Sequence, residues 1–246
     1  MGWFPSLRGV VDRRILVNFR IDPAALADVL PEPFEPRTVD GVAIGGICCI
    51  RLRDVRPRGL PAALGVGAES AAHRIGVEWD GDDGRQSGVY VPRRDTDSRL
   101  VAAVGDRRFG RHGLASFAVR EGDGRYELSM DGPDGVAVRF AGTETDGLPA
   151  DSVFPDLAAA VEYHRCGAVG YSPSPDGDRF DGLEMAMDDW AVTPLAVESA
   201  SASFFDELDP DAVALDNALL MRDVGNELRP RASIPCSGSD PAVASD

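Results

Sequence analysis

The densest polar segment of the chain is YVPRRDTDSR, residues 90–99, which places Arg93, Arg94, Asp95, Thr96, Ser98 and Arg99 directly behind the apolar run VYV. Successive side chains of a strand point to opposite faces, so Arg93 and Arg94 face opposite ways, and one can point inward while the other meets solvent. A buried guanidinium requires a carboxylate or an anionic ligand. Two arrangements satisfy that need. One is an Arg–Asp network on a rim. The other is an anion site in which one arginine grips a carboxylate bidentately while Thr96 and Ser98 supply hydroxyls. A second candidate is Glu69, set among small residues in GAESAAHR at the entry to a strand. It reads either as a pocket acid for proton transfer or as a loop carboxylate paired with an arginine. His73, four residues on, reads as a core histidine or as a pocket group.

Other chemistries are excluded by residue type. The chain holds 29 Asp, 12 Glu, 25 Arg and no Lys. Imine formation needs an amine that can lose its proton, and a guanidinium stays protonated. A Schiff-base lysine, a PLP anchor, a P-loop lysine and a Ser-Lys dyad are therefore all ruled out. The histidines His73, His112 and His164 show no metal-ligand spacing, and Cys48, Cys49, Cys166 and Cys236 form no C-x-x-C pair, so no metal site and no cofactor are expected. His112 reads as a loop residue and His164 as a residue near a helix end.

The formal charge of −16 opposes nucleic acid and anionic membranes, both of which need a cationic face. Excess Asp without Lys is a haloarchaeal-type, salt-adapted composition. A GC-rich genome accounts for Arg in place of Lys but not for the acidity. No run of residues suits a membrane span or a signal peptide, so a cytoplasmic location is expected. Homo-oligomer formation is left open.

The elements that must position these residues are mostly strands. VVDRRILVNFRI (10–21) is one, followed by a short helix, AALADVL, with Asp22 at the cap and Pro23 at its first position. Residues 37–55 read as a hairpin turning at Asp40-Gly41. Residues 71–80 and 85–92 make another around GDDG. A short helix is expected within 96–109, a meander over 114–145, and the best helix over 155–167, closed by Gly167. Residues 183–205 and 212–224 return to strand. The stretch from Arg229 reads as a disordered tail, 229–246, leaving a single domain over 3–228. The class is mainly β (α+β): an antiparallel sheet or barrel with two to four outer helices.

Taken together, RRILVNFRIDPAALADVLPEPFEPRTVDGVAIGGICCIRLRDVRPRGLP, ESAAHRIGVEW, GVYVPRRDTDSR, FDGLEMAMDDWAV, SFF and DNALLMRDV resemble the YqjF-like family known as DUF2071, over about residues 8–228. That family is similar in fold to acetoacetate decarboxylase, so the resemblance implies an acetoacetate decarboxylase-like antiparallel β-barrel with a central pocket and a few peripheral helices. In the decarboxylase the Schiff-base lysine follows a proline at a strand end. The matching segment here, Val91-Pro92-Arg93-Arg94, puts Arg93 where that lysine stands. Glu69 looks like the decarboxylase's pocket glutamate, and Arg20 or Arg14 like its N-terminal arginine. The departure is chemical: an arginine cannot make the iminium, although it can hold a carboxylate or enolate oxygen.

The resulting expectation is a pocket for a small organic (oxo) acid, working without Schiff-base chemistry. Arg93 and Glu69 would be the central pair, with Arg94, Arg20, His73, Thr96 and Ser98 around the ligand. The alternatives are a lysine-independent lyase acting on oxo acids and a non-catalytic protein whose barrel is filled.

Overall fold

The structure is a computed structural model that describes residues 6–81, 83–106, 110 and 112–236. In chain order the strands are β1 (Leu7–Ile21), β2 (Glu35–Pro36), β3 (Thr38–Val39), β4 (Val42–Pro57), β5 (Val66–Gly81), β6 (Gly84–Thr96), β7 (His112–Leu114), β8 (Ser116–Gly122), β9 (Arg125–Asp131), β10 (Ala137–Glu144), β11 (Val169–Pro173), β12 (Arg179–Met187), β13 (Thr193–Ala202) and β14 (Val213–Pro235). The helices are α1 (Arg99–Gly105), α2 (Leu157–Cys166) and α3 (Ser203–Asp206).

Hydrogen bonding runs β1-β4-β5-β6-β11-β12-β14, and β14 pairs again with β1, so these strands form a closed ring. A second layer, β13-β10-β9-β8, branches from β14. The long ring strands are buried on both faces at their centres. Residues 15–19 of β1 and 43–50 of β4 are buried without a break. Their continuous apolar runs are what a strand sandwiched between two packed faces requires. One core, including Ile15, Val17, Ile47, Cys49 and Ile75, lies between the ring and the second layer. The other, including Leu16, Ile44, Cys48 and Ile50, faces into the ring and is closed at one end by Ala160 and Tyr163 of α2. That closure depends on Gly76, where a Cβ would stand 2.0 Å from Tyr163 Oη.

Local chemistry explains the turns. Asp40 and Gly41 both take positive φ, 48° and 83°, and join β3 to β4 as an Asp-Gly hairpin. Ser98 caps α1, accepting from Val101 N, and Asp156 caps α2, accepting from Ala159 N.

The structure departs from the sequence reading in four places. The helix expected after Asp22 is a single 3-10 turn, Pro23–Leu26. Residues 183–205 are not one strand: β12 ends at Met187, β13 covers Thr193–Ala202, and Phe204 and Phe205 enter α3, where Phe205 packs on Phe19 at 5.2 Å between ring centroids. The sheet is not wholly antiparallel. β6 pairs in parallel with β7 and β11, the latter reached by a long crossover through the second layer and α2. Finally, β14 runs on through Arg229–Pro235, where β12 offers it a ladder (Arg231 opposite Gly182) and Glu184 pairs with Arg231 at 2.7 Å. Composition reads that segment as tail, but a backbone ladder needs no apolar side chains. Residues 237–246 of the expected tail, and residues 107–109 of the region expected to hold a helix, lie outside the described residues. No helix among the described residues is long and apolar enough to cross a membrane.

Candidate functional site

Strand alternation divides the site residues between the two faces of the ring wall. On the face toward the second layer stand Arg13 of β1, Arg51 of β4, Glu69 and His73 of β5, and Arg93 and Asp95 of β6. On the inner face stand Arg14, Cys48, Ser70, Ala72, Arg74, Val91 and Arg94. The registers agree: His73 lies opposite Arg93, and Ala72 opposite Arg94.

The outer face neutralises itself. Arg13, with no exposed side-chain surface, donates from Nη2 to Glu69 Oε2 at 2.6 Å, and Arg51 Nε donates to Glu69 Oε1 at 2.6 Å. Glu121 of β8 lies 3.7 Å from Arg13 and also accepts from Arg51, so these ions tie the ring to the second layer. Arg93 Nε and Nη2 each donate to the buried Asp95 carboxylate at 2.8 Å, and this pairing raises the arginine's pKa. His73 is buried against Phe204 at 5.3 Å, and neither ring nitrogen has a hydrogen-bond partner among the described residues. Burial lowers its pKa to about 4, with Asp95 opposing and Arg93 adding to the shift.

The inner face encloses a cavity of about 520 Å³. Every ring strand contributes to its wall: Leu7 and Arg14, Ile50 and Leu52, Ala72 and Arg74, Val91 and Arg94, Gly170, Leu183 and Met185, and Leu228. Arg14 Nε donates to Cys48 Sγ at 3.3 Å and its Nη1 to Met187 Sδ at 3.2 Å, both weak acceptors, and its guanidinium lies 5.7 Å from the Trp190 ring. Arg74 donates to Asn18 Oδ1 and meets His164 Nδ1 at 3.4 Å, while its Nε has no hydrogen-bond partner among the described residues. Arg94 donates to Ser172 Oγ. Among the described residues no acid forms an ion pair with Arg14 or Arg74. The acid among the lining residues, Asp95, has its carboxylate on Arg93. Burial lowers the pKa of Arg74 and of Arg94 to about 10, because their charge is held away from water. An anion entering the cavity would reverse that penalty.

The sequence-predicted residues therefore separate. Arg94 lines the cavity; Arg93 and Glu69 do not share it. Arg93 lines a separate cleft of about 450 Å³ beside Arg99, Asp106 and His112. Arg20 reaches outward to Asp151, donating to its carboxylate at 3.1 Å and to its backbone oxygen at 2.5 Å. The Thr96 hydroxyl donates to Glu69 O at 3.0 Å, and the Ser98 hydroxyl caps α1, so both serve backbone. Arg14, named beside Arg20 as the N-terminal arginine, does face the cavity. Arg74 and Cys48 were missed. The signal that finds them is the alternation Ala68, Ser70, Ala72, Arg74 along β5: three small side chains leave a hollow, and the fourth puts a charge at its end.

Comparison with known proteins agrees with this architecture. The model of DUF2071, a family of uncharacterised conserved proteins, matches residues 11–146. Among solved structures, an acetoacetate decarboxylase-like enzyme from Sphingomonas wittichii RW1 superposes with a TM-score of 0.60 at 12% identity, over 96% of this chain and 94% of that one. The acetoacetate decarboxylase of Legionella pneumophila superposes at 0.59 with 12% identity, over 96% and 89%. The enduracididine biosynthesis enzyme MppR, solved in complex with pyruvate, superposes at 0.57 with 14% identity, over 94% and 91%. At these identities the likeness is one of fold. No curated protein matches the sequence.

Proposed function

The chain belongs to the DUF2071 family and has an acetoacetate decarboxylase-like fold, and from that premise we propose that its ring cavity binds a small organic acid. The carboxylate sits among Arg14, Arg74 and Arg94, and the rest of the ligand lies along the apolar wall. One observation carries this reading: Arg14 and Arg74 turn into one cavity with no acid among the described residues to pair with, an arrangement that favours an anion from outside. The Arg74 guanidinium is held in place by Asn18, itself bonded to Asn217 Oδ1 at 2.7 Å, so the donor is positioned before the ligand arrives. A pyruvate-bound structure of MppR supports an acid as the ligand class.

Without a lysine the cavity cannot make an imine. Its guanidiniums can bind a carboxylate, and they can stabilise an enolate oxygen electrostatically. Thermal denaturation with pyruvate, acetoacetate and short alkanoates tests the reading. Several of these acids should raise the melting temperature of the native chain, and Arg94→Met should abolish the rise. Equal shifts in the native chain and in Arg94→Met, or no shift with any acid, would sink it.

A further inference from the structure

We infer that the acid this cavity takes is amphipathic, a carboxylate carried on an unbranched aliphatic chain. The inference rests on the reading that the guanidiniums hold a carboxylate, and it assigns the remainder of the cavity.

Strand register separates the two ends. Cys48 and Arg94 both lie opposite Ala72, and Arg74 lies deeper still, so the charges gather at the end closed by α2. Val55 lies opposite Val66, and Leu7 opposite Pro57 and Leu228, at the other end. From Ala72 to Val66 the wall extends about 20 Å at the usual strand rise. Between these levels stand Ile50, Leu52 and Ala68, which offer a ligand no hydrogen bond from a side chain, and Ser70, which offers one hydroxyl; Val91, Leu183 and Met185 add to the apolar lining.

The mouth is apolar as well. Leu64 (65% exposed), Leu100 (58%), Val104 (40%) and Val66 (36%) line the cavity, and they are four of the seven exposed large hydrophobic residues among the described residues. Scattered single apolar residues on a surface need no explanation, but a group around one opening marks a binding site. Arg56, the charged residue lining the mouth, donates to the carbonyls of Asp54 and Leu60. A short oxo acid would occupy the charged end alone and leave the apolar walls and mouth without a partner. A polyhydroxylated acid would find one side-chain hydroxyl there, that of Ser70, and would leave most of its own hydroxyls without a partner. An alkyl chain matches both the wall and the mouth.

Calorimetric titration of the full chain with acetate, butanoate, hexanoate, octanoate and decanoate, each below its micellar concentration, tests this. The dissociation constant should fall from butanoate to octanoate by about fourfold for each buried methylene. Octan-1-ol should bind at least tenfold more weakly than octanoate. The double variant Leu64→Ser/Leu100→Ser should weaken tetradecanoate, titrated in the same way and long enough to approach the mouth, severalfold and leave butanoate unchanged. Acids that bind with no dependence on chain length would overturn this inference and leave the carboxylate reading standing. Octanol binding as tightly as octanoate, or no binding by any acid, would overturn both. A tetradecanoate affinity indifferent to the double variant would also contradict the inference, since the mouth would then serve something other than the chain.

Discussion

Arginines stand side by side twice in this chain, at 13–14 and at 93–94, and each pair is split by the ring wall. The outer members, Arg13 and Arg93, each meet a carboxylate, Glu69 and Asp95, with contacts of 2.6 and 2.8 Å. The inner members, Arg14 and Arg94, turn into the cavity, toward sulfur and an indole face in one case and a serine hydroxyl in the other. Neighbouring residues of one type thus do opposite work. The outer charges cancel within the protein, and Glu121 carries the Arg13–Glu69–Arg51 network on from the ring to the second layer. Arg14 faces the cavity without forming an ion pair to any acid among the described residues, in a molecule of net charge −16.

The comparison is easiest to break on the outer face, where removing one partner strands the other. Glu69→Ala leaves Arg13 buried beside a more distant Glu121 and should cost about 3–5 kcal/mol in chemical denaturation. A loss below about 1 kcal/mol would mean that the buried Arg13 does not depend on Glu69 for its compensation. Arg93→Ala should destabilise in the same way through Asp95, and wherever the variant folds, acid binding should persist.

Acid pH gives the next largest effect. In the fold burial holds His73 neutral down to about pH 4, against about 6.5 in an unfolded chain. The unfolded chain takes the proton first, so stability falls as pH drops through the window from 6.5 to 4 and is untouched above it. At about 1.4 kcal/mol per pKa unit the share of His73 is on the order of 3 kcal/mol. Denaturation curves for His73→Phe should be flatter than the native curves across that window, and parallel curves would refute the assignment.

On the inner face the expectation is inverted. Arg14→Met replaces a charge that meets weak acceptors with a chain of similar reach, so stability should change by no more than about 1 kcal/mol or rise. Acid affinity should nevertheless fall about tenfold or more, the worth of a charged hydrogen bond. A strong loss of stability without loss of binding would erase the distinction between the faces. The smallest effect expected is from salt: raising ionic strength should lift the melting temperature by about a few degrees, by screening the net negative charge.

Much of this arrangement was legible in the sequence. The strands, the Asp40-Gly41 hairpin, the helix ending at Gly167 and the family resemblance follow from periodicity, turn chemistry and motifs. Alternation also announced that Arg93 and Arg94 would face opposite ways. Which of them faces inward depends on the strands that close the ring, and those pairings lie far apart in the chain. Aligning Arg93 with a relative's lysine fixed a position along the strand, whereas a side chain's face changes with every residue. Arg74 escaped notice because a lone arginine after Ala-Ala-His carries no motif, and its place becomes clear only once the small side chains before it are seen as the wall of a hollow.

The central claim is that the inner guanidiniums hold a carboxylate. A crystal structure of the chain soaked with hexanoate tests it most directly. The account predicts the carboxylate inside the ring, within hydrogen-bonding distance of at least two of Arg14, Arg74 and Arg94. Hexanoate seated instead in the cleft beside Arg93, or a ring interior closed by protein side chains with no acid in it, would contradict it.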